Sequence, residues 1–159
     1  MEVKDIDFRL SMYHISDQTL YIRSAQKYNA VSEIEEIDDT YYSMQPSLKI
    51  IDQACILRGS SYTGRANAMK KLFKIGYNPP ILIDEHQDLY TFATRSPHHE
   101  DCIWIFTKNI IRIEHGDKYS IIHFKGNKTL RVRLSKRRLE RLCSYLYKIH
   151  LYFNKNNHA

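Results

Sequence analysis

Apolar and polar positions along the chain fall into short blocks rather than long periodic runs. Gln18–Arg23 (QTLYIR) and Ala30–Ile37 (AVSEIEEI) alternate or cluster β-forming residues and predict strands. Ser47–Leu57 (SLKIIDQACIL), introduced by Pro46, predicts a longer and more buried strand. A helix is expected from Ser61 to Ile75, stopped by Tyr77-Asn78-Pro79-Pro80 because proline cannot continue a helix and restricts its predecessor. Ala66, Met69, Leu72 and Phe73 would be its core face. Ile81–Asp84 and Leu89–Ala93 flank EHQD in the layout of a β-hairpin. Cys102–Phe106 (CIWIF) follows a polar loop. Ile110–His115, Tyr119–Phe124 and Thr129–Leu134 then make a meander, with Gly116-Asp117 and Gly126-Asn127 at its turns.

The last segment has a different period. Leu139, Leu142, Cys143, Leu146, Ile149 and Phe153 form an apolar stripe at helical spacing behind Ser135, a good N-cap. On such a stripe Cys143 reads as core rather than chemistry. Tyr145 and Tyr152 sit at the margin of the stripe, where a dimer contact would fall. Short turns between neighbouring strands imply antiparallel pairing, with one internal helix and one C-terminal amphipathic helix packed on the sheet: an α+β fold. The expected organisation is a variable N-terminal arm over 1–17, a single domain over 18–153 and a disordered tail over 154–159. There is neither an internal repeat nor a low-complexity linker.

Composition narrows the class. No apolar run approaches the length of a membrane span, and MEVKDIDF lacks the basic-then-apolar layout of a signal peptide, so a cytoplasmic protein is expected. Cys55, Cys102 and Cys143 are odd in number and widely spaced, as free thiols in a reducing compartment would be. The net charge of +6 is unevenly spread. Residues 1–52 hold ten acids and five bases, a net of −5, whereas residues 53–159 hold eight acids and nineteen bases, a net of +11. Clustered positive charge of that kind attracts a polyanion, nucleic acid above all.

Ile56–Lys74 (ILRGSSYTGRANAMKKLFK) is the most suggestive stretch. Gly59 and Gly64 have the spacing of a phosphate-binding loop, G-x-x-x-x-G-K-[S/T], between an expected strand and an expected helix. The positions that carry that chemistry are changed: Arg65 stands for the lysine, and Ala66 offers no oxygen to Mg²⁺. Nucleotide hydrolysis is therefore not expected, and no cofactor is implied. What remains is a helix start suited to a phosphate, with hydroxyls on Ser60, Ser61 and Tyr62 and cations on Arg58, Arg65, Lys70, Lys71 and Lys74. The plainer reading is a capped surface helix whose charges serve solubility.

A second basic block holds Lys125, Lys128, Arg131, Arg133, Lys136, Arg137, Arg138 and Arg141 against one acid, Glu140. Arg131 and Arg133 fall on the same side of a strand because side chains alternate. Arg137 and Arg138 open a helix, where cations oppose the dipole, and an anionic partner accounts for that misplacement better than solubility does. His98, His99, Glu100, Asp101 and Cys102 resemble a metal set, but no second ligand pair follows at zinc spacing, so a polar loop is expected and no metal. Nothing in the chain is a positive sign of an enzyme.

The residues from Ser47 to Asp84 carry a resemblance. The segment Ser47–Leu57, the block Gly59-Ser60-Ser61-Tyr62-Thr63-Gly64-Arg65, and Pro79-Pro80-Ile81 with Asp84 occur in the order found in the competence transcription factor (ComK) family. Cys102-Ile103-Trp104-Ile105 and FKGNKTLRVRLS extend the similarity, which spans roughly Thr19 to Phe153. The resemblance implies a bacterial DNA-binding activator of DNA-uptake genes that binds paired A/T-rich boxes, largely through the minor groove, as an oligomer (dimer or tetramer). RNA polymerase and a Clp-protease adaptor are further implied partners, and no membrane is. Longer members continue well beyond the helix near Phe153, so this chain reads as a short member without the long C-terminal tail. A non-enzymatic protein-interaction regulator, binding through the acidic N-terminal third with only unspecific DNA affinity, is the competing reading.

Overall fold

The computed structural model describes residues 12–157 of the 159. Most of the expected arm, 1–11, and the last two residues of the tail lie outside the described residues. In chain order the elements are β1 (Thr19–Ser24), β2 (Ser32–Glu36), β3 (Thr40–Ser43), α1 (Ser47–Ile56), α2 (Tyr62–Phe73), β4 (Ile81–Asp84), β5 (Leu89–Ala93), β6 (Trp104–Phe106), β7 (Ile110–Glu114), β8 (Ser120–Phe124), β9 (Lys128–Val132) and α3 (Lys136–Asn157). The α+β class is as expected, but the strands form two antiparallel sheets rather than one. A six-stranded sheet has the order β3-β2-β1-β6-β5-β4, and a three-stranded sheet the order β7-β8-β9.

The large sheet is covered on both faces, which explains why its strands read as near-continuous apolar runs. Alternation in β6 shows the division. Trp104 and Phe106 point into one core with Ile50, Ile51, Ala54, Cys55, Met69 and Ile149 of the helices. Ile105 points the other way, into a second core with Ile122, Phe124, Leu130 and Val132 of the small sheet. The result is three layers: helices, six-stranded sheet, three-stranded sheet. The outer face of the small sheet is left to solvent.

Ser47–Leu57 overturns its expectation. It is the helix α1, not a strand. Its paired isoleucines have high β propensity, but buried Ile50, Ile51, Ala54 and Cys55 recur at helical intervals, and Lys49, Asp52 and Gln53 fill the other side. Strand β3 was not expected from the sequence. It pairs Thr40–Ser43 with β2 through tertiary hydrogen bonds that four residues do not announce by themselves.

Two apolar positions are corrected as well. Leu72 is 48% exposed, and Cys143 is exposed on the stripe that otherwise buries Leu139 and Ile149. The expected turn at Gly126-Asn127 joins β8 to β9 across Lys125, Gly126 and Asn127, with Gly126 (φ +80°) and Asn127 (φ +57°) both in the left-handed region. A Cβ on Gly126 would lie 2.5 Å from the Ile37 carbonyl oxygen, so glycine is required there twice over. Helix α3 runs into the expected tail as far as Asn157.

Candidate nucleic-acid interface

The stretch with the phosphate-loop spacing lies between two helices, α1 and α2, not between a strand and a helix. Ser61 caps α2, its Oγ accepting from the Gly64 N–H at 3.0 Å. The Tyr62 N–H donates to Asp52 Oδ1 (2.9 Å), and the Tyr62 ring stands edge-on to Trp104 with centroids 5.5 Å apart. Burial pushes the Tyr62 hydroxyl up to about 12. Ser60 remains exposed.

Arg58 and Arg65 turn inward. Arg58 Nε donates to Asp84 Oδ2 at 2.9 Å and Nη1 to the Ala54 carbonyl at 3.1 Å. Burial raises the Asp84 carboxyl, but the Arg58 bond and the N–H groups of Gln87 and His86 outweigh it, holding the group below the ordinary carboxylate range. Arg65 Nη1 donates to the Leu82 carbonyl (2.8 Å), and its Nη2 to those of Cys55 (3.3 Å) and Arg58 (3.2 Å). The last carbonyls of a helix lack intrahelical partners and attract a cation. Arg65 therefore closes the end of α1 and ties it to β4. These guanidinium groups are committed within the chain, which leaves Lys70, Lys71 and Lys74 as the exposed cations of this block. Lys74 ends α2 in the left-handed conformation (φ +54°).

The second block stays outward. In β9 the pattern alternates, with Leu130 and Val132 buried and Thr129 and Arg131 exposed; Leu134 and Arg133 continue it past the strand end. The Arg131 guanidinium carbon lies 4.2 Å from the centroid of the Tyr119 ring, a stacked arrangement that holds the planar cation in place. Ser135 caps α3, its Oγ accepting from Arg138 N–H at 3.3 Å. Lys136, Arg137, Arg138 and Arg141 follow in the first turns, all exposed and with no acid in the first turn. The Lys136–Glu140 pair is 4.0 Å apart and open to solvent, a contact of little energy.

Helix α3 touches the region of the first block at two separate places along its length. Arg138 Nη2 reaches the Thr94 carbonyl at 3.4 Å. Arg138 and Arg141 line a groove of about 510 Å³ with Gly76, Tyr77 and Asn78, the segment directly after α2. Farther along, the Phe73 ring at the end of α2 stands edge-on to Tyr152 of α3, centroids 5.5 Å apart. The lysine end of α2 and the arginine start of α3 are thus two ends of one helix–helix contact, and Ser60–Tyr62 lies apart from it at the other end of α2.

Sequence reasoning missed the third part of the outer face. Register pairs Arg112 with His123 and Ile121 with Arg131, so β7 adds Arg112 to the same surface. Glu114 accepts from Arg112 Nη1 (2.9 Å) and contacts His123 Nε2 (2.8 Å); these two bonds lower its carboxyl pKa. The alternation in IIRIEH is the signal that would have found it. Three acids of the N-terminal third are engaged within the chain: Glu33 by Arg23 (2.7 Å) and Tyr42 (3.1 Å), Glu35 by Lys128 and Thr40, Glu36 by Tyr13.

A three-layered antiparallel domain with a basic outer sheet and helix start is the class these observations define. The chain belongs to the ComK protein family, whose family model matches residues 10–156. It is similar to the competence transcription factor of Bacillus subtilis (strain 168), with 29% identity over 133 residues that cover 81% of this chain and 68% of that protein. Membership places it among transcriptional regulators of competence. No solved structure matches it. Among the described residues no helix is long and apolar enough to cross a membrane.

Proposed function

We propose that the chain is a sequence-selective DNA-binding activator of competence genes that reads A/T-rich boxes through the minor groove. The observation that carries this reading is the succession of exposed arginines along the chain from β9 into α3: Arg131, Arg133, Arg137, Arg138 and Arg141. A strand face followed by a helix start offers cations to two neighbouring stretches of phosphate, and arginine suits a narrow, electronegative A/T groove. Lys70, Lys71 and Lys74 on α2 and Lys136 at the start of α3 serve as backbone contacts. Arg58 and Arg65 frame the helices instead of touching DNA. The engagement of Glu33, Glu35 and Glu36 within the chain speaks against an acidic docking face.

The test is a titration of the purified protein onto two labelled duplexes, one with paired A/T boxes and one rich in G·C, by anisotropy at several salt concentrations. A preference of roughly 100-fold for the A/T duplex, kept when A·T pairs are swapped for T·A, is expected because the minor-groove code is degenerate. Equal and easily screened binding to both duplexes would defeat the reading, since phosphate attraction alone gives that result.

A further inference from the structure

Helix α3 crosses between the two cores: Leu139 lies in the core shared with the small sheet, and Ile149 in the core shared with the other helices. Between them Arg138, Arg141, Leu142 and Tyr145 recur at the i, i+3, i+4, i+7 spacing of a single helix face. That face lines one side of the groove of about 510 Å³, and the connector Gly76-Tyr77-Asn78 lines the other. Buried Ile75 and Ala93 complete an apolar lining.

A helix face turned toward a neighbouring segment is ordinarily apolar, because burial of that face is what holds the two together. Here two of its four positions are arginines, and no residue lining the groove carries a carboxylate. Arg138 reaches the Thr94 carbonyl at 3.4 Å, and neither arginine makes an ion pair among the described residues. The partner that complements such a groove is an anion.

The connector adds a donor that suits the same partner. Tyr77 is 69% exposed, yet the chain on either side of it is anchored: Ile75 is buried, Asn78 takes the left-handed conformation (φ +44°), and Pro79 and Pro80 are buried. Its hydroxyl is therefore presented by backbone already ordered, at little further cost in entropy on binding. Exposed cations continue along the chain from both sides of the groove, through Arg137 back to Arg133 on one and to Lys74, the residue before Ile75, on the other. Cations that run on beyond the groove suit a polyanion rather than a small anion.

We propose that this groove holds the sugar–phosphate backbone of one DNA strand, with Arg138 and Arg141 on its phosphates from α3 and the Tyr77 hydroxyl donating to a phosphate oxygen from the facing connector. The inference rests on the DNA-binding reading and adds to it a contact from outside both basic blocks. Phosphate contacts carry no sequence information, so the contribution of Tyr77 is the same on any duplex.

The full chain and its variants are titrated onto the A/T and the G·C-rich duplex by anisotropy over a range of salt. Tyr77→Ala should lower affinity about tenfold on both duplexes, and Tyr77→Phe, which removes only the hydroxyl, by nearly as much. The salt slope should match the parent's in both, since no charge is lost, whereas Arg141→Gln should lessen it by about one. Tyr77→Ala combined with Arg141→Gln should cost less than the product of the separate factors, because both loosen the same strand. Tyr77 and Arg141 are exposed, so thermal midpoints should stay close to the parent's. Parent affinity in either Tyr77 variant, a loss confined to one duplex, or separate factors that simply multiply would each overturn the proposal. Displacement of the duplex by deoxyadenosine monophosphate at concentrations where inorganic phosphate has no effect would overturn it too, by assigning the groove to a mononucleotide. A parent that binds both duplexes alike would defeat the A/T reading and leave these comparisons intact, so the two failures are distinguishable.

Discussion

Arg65 donates to the carbonyl of Leu82 at 2.8 Å while the same guanidinium holds the last carbonyls of α1. An arginine that occupies the lysine position of a phosphate-loop spacing is thus a strut between α1, α2 and β4. Arg65→Lys keeps the charge but loses the planar fork that reaches three carbonyls at once. The variant is expected to be destabilised by about 2 kcal/mol in urea unfolding, in the range of hydrogen bonds to charged groups. Duplex affinity of the folded fraction should be unchanged. A stable variant with weakened DNA binding would put Arg65 on the interface instead.

Charge reversal at the outer sheet should do the opposite. Arg131→Glu with Arg133→Glu alters side chains that are exposed while their neighbours Leu130, Val132 and Leu134 hold the core. The thermal midpoint should stay close to the parent's. Affinity for the A/T duplex should fall by at least tenfold, and the slope of affinity against salt should lessen by about one for each phosphate no longer neutralised. Binding that persists unaltered would remove this strand from the interface.

Acid should unfold the protein partly through Asp84. Its carboxyl is held below the ordinary range in the folded chain, so it contributes stability that is present above its unfolded pKa and is lost as pH falls through the folded one. The loss therefore begins near about pH 4 and continues below it. Asp84→Asn should lower the urea midpoint at neutral pH and flatten the acid limb of the midpoint-against-pH curve. A parallel acid limb in the variant would assign acid sensitivity to other groups.

Thiol chemistry distinguishes the three cysteines. Cys143 is exposed, while Cys55 and Cys102 are buried, and burial pushes the Cys55 thiol up to about 11. An aromatic disulfide reagent should titrate one thiol rapidly in the native protein and all three after denaturation. Cys143→Ser should abolish the fast phase without changing stability. Fast reaction of two or three thiols in the native state would contradict the packing of α1 against the sheet.

The strands of the two hairpins, the meander and the long C-terminal helix were legible in the sequence because their signals are local. Alternation in TLRVRL, the Gly126-Asn127 turn and the stripe from Leu139 to Phe153 each arise from backbone geometry over a few residues. The resemblance to the ComK family was legible for the same reason, since it rests on ordered short blocks. Both basic blocks were visible as charge, and Arg131 and Arg133 were assigned to one side from their spacing alone.

Tertiary structure decided the rest. Whether SLKIIDQACIL became a strand or a helix depended on which surface would cover Ile50, Ile51, Ala54 and Cys55, and a sheet already paired through β1, β5 and β6 offers a face rather than an edge at that place. The fate of each arginine was likewise a matter of neighbours distant in the chain. Arg65 meets the carbonyl of Leu82 and the end of α1, so its charge is taken inward, whereas Arg131 lies over the ring of Tyr119 and stays exposed. Charge is written in the sequence, but exposure is a property of packing, and only packing separates a strut from a surface that can meet phosphate.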